Sequence, residues 1–113
     1  FPILVAVLDN KNVGYCYYSE FRFREAYRFT VEHSVYVHPD YQGLKIGQKL
    51  LETLIETAKN QKLHTMIAVI DSENQGSMKF HEKLGFETVG IIKESGFKFN
   101  RWLHSVFMQK MLD

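Results

Sequence analysis

The chain has 113 residues, with 14 lysines and arginines against 13 aspartates and glutamates, and a formal net charge of +1. Hydrophobic residues make up 45% and aromatic residues 14%, which predicts one globular domain over residues 1–113 rather than a disordered chain. A charge this close to neutral argues against strong binding of nucleic acid or another polyanion. The one cysteine, Cys16, has no partner for a disulfide, and the absence of a Cys/His cluster argues against a metal site.

The apolar run over residues 1–8 is too short to span a bilayer and lacks the basic flank and cleavage site of a signal peptide. We therefore expect a soluble protein in a reducing, cytoplasmic setting, with no membrane partner.

Three strands are predicted in the first third of the chain. An apolar run over residues 3–8 ends at a polar turn, and a segment rich in Tyr, Phe and Val follows over residues 13–23. From residue 29 the pattern alternates, which directs Val31, His33 and Val35 to one face and Glu32 and Ser34 to the other.

Helical spacing of apolar residues predicts an amphipathic helix over residues 44–61. A buried strand over residues 65–70 and a second helix follow, the helix capped by Ser72 and ended by Gly85. Two more strands are predicted over residues 86–92 and 103–111, separated by residues 94–102. The order βββαβαββ requires a right-handed crossover, so we expect an α/β fold with a mixed, mostly antiparallel sheet flanked by helices.

The loop over residues 42–47 joins a strand to the first helix and contains two glycines. Helix N-termini offer unpaired N–H groups to anions, which favours a pyrophosphate site, although a plain glycine-containing loop fits the spacing equally well. No Gly-Lys-Ser/Thr follows, so the loop is not a Walker A motif.

The loop before the first helix and the last helix each carry a motif, and the two motifs together resemble those of the GCN5-related N-acetyltransferases. Gln42, Ile46 and Gly47 fit the loop signature Gln/Arg-x-x-Gly-x-Gly/Ala, whereas Lys45 replaces its usual first glycine. A second signature spans the last helix, with His81 at its tyrosine position and with matches at Asn74, Ser77, Phe80, Gly85 and Phe86.

Within that superfamily the chain resembles the phosphinothricin-type and methionine-sulfoximine-type amino acid N-acetyltransferases over residues 27–37, 68–86 and 96–110. His104 departs from the aspartate usual there. The resemblance implies an acyl-CoA N-acyltransferase-like fold and acetyl-CoA as the acetyl donor. It also implies a domain shortened at its N-terminus, because a strand and helices usually precede the strand at Ile3.

Acetyl transfer to an amine needs a base to take the amine proton and an N–H donor for the developing oxyanion. The resemblance makes Glu32 the general base, while its residue type alone equally suits an exposed strand position. It makes His81 a proton donor or relay, although a lone histidine is more often a hydrogen-bonded structural residue.

By resemblance, the backbone at Val35, Tyr36 and Val37 pairs with the pantetheine arm, and Asn74 and Ser77 hold that arm. The phosphate-binding loop and helix start are then Gln42, Gly43, Leu44, Lys45, Ile46, Gly47 and Gln48.

Acceptor binding is the least constrained part of the sequence. Arg22 and Arg24 suit the carboxylate of an amino acid acceptor, or are solvated charges. Phe29 and Trp102 suit apolar walls of the acceptor pocket, and Trp102 suits the core equally well.

The leading interpretation is an enzyme that acetylates the α-amine of a small amino acid by direct attack on the thioester of acetyl-CoA. The alternative is a non-catalytic acyl-CoA-binding or interaction module. A nucleic-acid binder is disfavoured by the balanced charge, despite the basic and aromatic residues over 97–102. Pairing into a homodimer is left open.

Overall fold

The computed structural model describes residues 1–113, the whole chain. Its strands and helices follow the predicted order βββαβαββ. They are β1 (Ile3–Leu8), β2 (Lys11–Glu20), β3 (Thr30–Val37), α1 (Ile46–Asn60), β4 (Thr65–Asp71), α2 (Gln75–Lys83), β5 (Glu87–Lys98) and β6 (Arg101–Met111). Neither helix has the length and apolar character needed to cross a membrane.

The six strands form one mixed sheet in the order β1-β2-β3-β4-β6-β5, which confirms the predicted fold class. β3 and β4 are parallel, and every other neighbouring pair is antiparallel. The parallel pairing lasts for three residue pairs, from Thr30–Thr65 to Glu32–Ile67. Beyond Glu32 the two strands part, and this split opens the middle of the sheet.

Both helices pack on one face of the sheet. The apolar stripe of α1 is buried there, as its spacing predicted, and α2 adds Met78 and Phe80. The opposite face is open and carries Tyr15, Tyr17 and Tyr36, each at least 37% exposed.

Cys16 on β2 lies on the covered face, fully buried. Its thiol donates a hydrogen bond to the backbone carbonyl of Leu50 on α1, at 3.5 Å. Burial raises the pKa of this thiol to about 11.

Helix α2 begins two residues later than the sequence predicted. Asn74, not Ser72, is the N-cap, and its side-chain oxygen accepts from the Ser77 N–H at 3.0 Å. A turn at the end of β4 delays the helix, because the Asp71 carboxylate accepts from the Glu73 N–H at 2.9 Å.

The end of α2 confirms the predicted glycine cap. Gly85 has φ of 95°, which an L-residue adopts only with strain. This conformation lets the Phe86 N–H donate to the His81 carbonyl at 3.0 Å, the bond of a Schellman motif. The chain then turns Phe86 into the core, where it is 3% exposed.

The last two strands are longer than predicted. The predicted gap over residues 94–102 is mostly strand, interrupted by a register shift between Ile92 and Gly96 and by a turn at Phe99 and Asn100. The irregularity hid the continuing strand from the sequence pattern. Trp102 is 60% exposed and packs edge-on against Phe97, so it is not a core residue.

His33 on β3 and His81 on α2 are both buried at the point where the strands part. Their Nε2 atoms are 2.9 Å apart, and the Phe86 ring packs against both imidazoles. Burial, reinforced by repulsion from His81 whenever that ring is protonated, lowers the pKa of His33 to about 3 from an ordinary value of 6.5.

This shift predicts a fold that loses stability as the pH falls from 6.5 towards 3. Below pH 6.5 the unfolded chain protonates His33 while the folded chain does not, so acid favours unfolding. The loss attributable to His33 between pH 7.5 and 5.0 should be about 2 kcal/mol of unfolding free energy. Urea unfolding at the two pH values measures it.

Two variants control this measurement. His33→Phe should lose less stability than the wild type on acidification, whereas His38→Gln, which removes an exposed histidine, should lose as much. Equal losses in the wild type and His33→Phe would show that His33 is not held neutral.

Candidate active site

A cavity of about 760 Å³ lies at the split between β3 and β4, within the size range of small-molecule sites. Its walls are the end of β3, the loop before α1, the end of β4 and the first turns of α2. It brings together most of the predicted coenzyme-binding residues and His81. The predicted residues that line it are Val35, Val37, Gln42, Gly43, Lys45, Ile46, Gly47, Gln48, Asn74, Ser77 and His81.

The loop and first turn of α1 present a row of free backbone N–H groups to this cavity. No backbone carbonyl accepts from the amides of residues 43–48, and no side chain caps α1. The partial positive charge of the helix N-terminus adds to these donors. The row can therefore bind an anion with several acceptor oxygens, such as a diphosphate.

Two residues shape this row. Lys45 has φ of 61°, a left-handed conformation that glycine adopts more easily, and it turns the chain into the helix. A Cβ added at Gly47 would lie 3.3 Å from Val37 Cγ2 and 3.7 Å from Phe80 Cζ. The lack of a side chain at Gly47 thus lets α1 begin close against β3 and α2.

The split leaves two backbone edges without strand partners. Beyond Glu32 the β4-facing edge of β3 pairs with no strand, and the facing edge of β4 is also unpaired beyond Ile67. An extended ligand lying in the split can hydrogen-bond to these edges as an added strand does. The unpaired edge of β3 runs from the two histidines to the N–H row of α1.

The hydrogen bonds of the two histidines fix their protonation. His81 Nδ1 lies 2.8 Å from the Ser77 carbonyl oxygen, which only accepts, so Nδ1 carries the proton. In the neutral ring His81 Nε2 is then an acceptor, 2.9 Å from His33 Nε2. Burial lowers the pKa of His81 as well, which favours this neutral state.

Glu32 does not line the cavity. It is half-buried on the open face of the sheet, at the last residue pair before the split, opposite Ser19 on β2 and Ile67 on β4. The predicted base and His81 therefore lie on opposite sides of the sheet, and a substrate reaches both only through the split.

The remaining predicted site residues also lie outside the cavity wall. Arg22 and Arg24 are in the exposed segment before β3, where the Arg22 guanidinium lies over the Phe21 ring at 4.8 Å. Phe29 is 47% exposed and Trp102 belongs to the β5–β6 hairpin. The others are Tyr36, whose side chain is on the open face beside Tyr15, and Leu44, which lines a second groove against β1.

Sequence reasoning gave His33 no functional role. It placed this residue on the same face of the strand as Val31 and Val35 but proposed no partner. A histidine at a core position needs a hydrogen-bond partner, and that requirement is the signal that could have paired it with His81.

Comparison with known proteins agrees with this architecture. The model of the acetyltransferase (GNAT) family matches residues 1–86. An L-amino acid N-acyltransferase of Escherichia coli, MnaT, is 44% identical over 113 residues, which are 100% of this chain and 66% of that protein. A methionine sulfoximine/methionine sulfone acetyltransferase of Salmonella typhimurium is 42% identical, again over 100% of this chain and 66% of the relative.

A solved structure with a closely similar fold is that of a phosphinothricin acetyltransferase from Sinorhizobium meliloti in complex with acetyl-CoA. It has a TM-score of 0.92 and 42% identity, covering 97% of this chain and 60% of that chain. The chain thus spans about two thirds of the length of the proteins it matches. Family model, sequence relatives and fold agree, and the chain belongs to the acetyltransferase (GNAT) family.

Proposed function

We propose that this chain carries the coenzyme site of an acetyl-CoA-dependent N-acetyltransferase that acetylates the α-amine of a small amino acid or analogue. The observation that carries the proposal is the row of unpaired N–H groups at residues 43–48, placed at one end of the strand split. A diphosphate bound there directs an attached extended arm along β3 towards the histidines.

The residues present fit coenzyme A in charge and shape. The N–H row and the ammonium group of Lys45, a residue of that row, suit the diphosphate. The free edges of β3 and β4 suit the amides of pantetheine. Asn74 and Ser77 line the same cavity on α2. Acetyl-CoA, when bound, supplies an acetyl group activated as a thioester.

Glu32 is the proposed general base. An amino acid acceptor carries an ammonium group, which must lose a proton before its nitrogen can attack. Glu32 would take this proton through a water molecule at the open side of the split, since its side chain lies outside the cavity. A free backbone N–H of β3 would stabilise the developing oxyanion. The new bond joins the amine nitrogen to the acetyl carbon, and the carbon–sulfur bond breaks. The nitrogen then loses its second proton and the thiolate takes one up, with His81 as the proposed proton donor or relay.

The acceptor class rests on the named relatives, which act on amino acids or methionine analogues, and on two arginines. Arg22 and Arg24 are exposed, and neither forms an ion pair with an acidic side chain. Their guanidinium groups are free to bind a carboxylate.

A second candidate is a non-catalytic acyl-CoA-binding module. Two observations favour it: Glu32 lies outside the cavity, and both ring nitrogens of His81 are already hydrogen-bonded. Release of coenzyme A thiol from acetyl-CoA in the presence of amino acids separates the two, because a pure binder releases none.

The proposed setting is the cytoplasm, in keeping with a single cysteine that is buried as a free thiol. Pairing with a second copy is part of the proposal, because β1 and β5 are edge strands with unpaired backbone groups.

Calorimetric titration tests the N–H row. Acetyl-CoA should bind at least about tenfold more tightly than acetyl-pantetheine, because only the former has a diphosphate for charge-assisted hydrogen bonds. Gly47→Val should weaken acetyl-CoA binding by crowding Val37 and Phe80, whereas Gly90→Val, at a glycine with open space around it, should not. Equal affinities for the two ligands would contradict a diphosphate site at residues 43–48.

Substitution of the proposed base tests the chemistry. Glu32→Gln should lower kcat by about 10²- to 10⁴-fold, the usual contribution of a general base, while the Kd of acetyl-CoA stays unchanged. Glu20→Gln, which removes an exposed carboxylate on the neighbouring strand, is the matched control. An unchanged kcat in Glu32→Gln would remove Glu32 from the mechanism.

A further inference from the structure

We propose that His33 is a positioning residue for His81: it donates a hydrogen bond from Nε2–H and thereby holds His81 in one tautomer beside Ser77 at the cavity wall. The two Nε2 atoms are 2.9 Å apart. The proposal deepens the proposed function and rests on it for the role of His81 in acetyl transfer. His33 itself makes its closest polar contact with His81, not with the residues of the N–H row.

The hydrogen-bond donors in this pair follow from the Ser77 carbonyl. Since that oxygen accepts from His81 Nδ1 at 2.8 Å, a neutral His81 has a lone pair and no proton on Nε2. His33 must then supply the shared proton. Its own Nδ1 is buried without a well-formed hydrogen bond, and the Ile67 backbone lies close enough to the ring to favour its protonated form. His81 is therefore the side chain on which the His33 ring depends.

The two contacts act on opposite ends of the His81 ring. A ring flip would break both hydrogen bonds at once, with a buried donor and acceptor left unpaired. Phe86 closes the space beside the pair, with ring centroids 5.3 Å from His33 and 5.1 Å from His81. His81 is therefore held in one orientation, with its Nδ1–H on the side of Ser77, whose hydroxyl oxygen is 3.5 Å away.

In this arrangement Nδ1, the His81 nitrogen that faces Ser77, is a donor rather than an acceptor. The titratable group that faces each imidazole is the other imidazole, because no acidic side chain or lysine forms a hydrogen bond or ion pair with either ring. Without His33, the Nε2 lone pair would be buried with no donor, and this cost would weaken the preference for the Nδ1–H tautomer that the Ser77 carbonyl sets.

NMR of the ¹⁵N-histidine-labelled wild-type chain tests the pair without an activity measurement. We expect His81 to be protonated at Nδ1 and His33 at Nε2, with a scalar coupling between the two Nε2 nuclei across the hydrogen bond. The opposite tautomer at His81, or no coupling in the folded chain, would overturn the proposal.

Two variants test whether His33 causes the tautomer. His33→Phe keeps an aromatic ring and removes the donor, so the His81 signals should show a mixture of tautomers. His33→Gln places an amide N–H near the position of Nε2 and should restore the single Nδ1–H tautomer. A single tautomer in folded His33→Phe would show that Ser77 alone fixes His81 and would overturn the proposal.

Kinetics give the functional readout. His33→Phe should lower kcat about tenfold or more through misplacement of His81, with the Kd of acetyl-CoA unchanged, and His33→Gln should recover most of that loss. Equal losses in both variants would show that His33 acts by packing alone. If the wild type transfers no acetyl group, the proposed function fails, while the NMR coupling still decides the pairing.

Discussion

The short parallel pairing of β3 and β4 is the constraint on which the site depends. Three residue pairs join these strands. The connection from β3 to β4 includes a loop and helix α1. Because the strands part, their facing edges keep unpaired backbone groups that a regular sheet would have used. The helix that follows β3 begins at the open end of the split, so its free N–H groups face the same space.

The two faces of the sheet have different roles in this arrangement. The covered face holds the helices and the buried histidines, whereas Glu32 belongs to the open face. The proposed acetyl transfer would use groups from both faces, Glu32 from the open face and His81 from the covered face. Groups from the two faces can meet at the split, since no backbone hydrogen bonds join β3 to β4 there.

The periodic elements could be predicted from sequence, because burial imposes a period that the residues must follow. The stripe of α1, the alternation of β3 and the glycine that ends α2 are of this kind. The length of the β5–β6 hairpin was underestimated, since the irregularity near Glu94 breaks the alternation of side chains while the strand pairing continues. The cap of α2 was misplaced because Ser72 and Asn74 are both good caps, and a turn made by Asp71 decides between them.

The site could be predicted only in part. The residues of the loop at 42–47 are consecutive in the sequence, so they could be predicted to form one site. The His33–His81 contact joins residues 48 positions apart and depends on how α2 packs across β3, which no local pattern encodes. The side of the sheet on which Glu32 lies followed from alternation, but its distance from the cavity did not.

The reactivity of Cys16 depends on how often the packing between β2 and α1 opens transiently. The thiol lies under α1, donates a hydrogen bond to the Leu50 carbonyl and has a pKa of about 11, so in the folded protein it is almost entirely un-ionised and shielded from electrophiles. An alkylating reagent can react only while β2 and α1 are transiently separated. The rate of its modification therefore measures how often the helix that carries the N–H row lifts from the sheet, and ligands that anchor this helix will slow it.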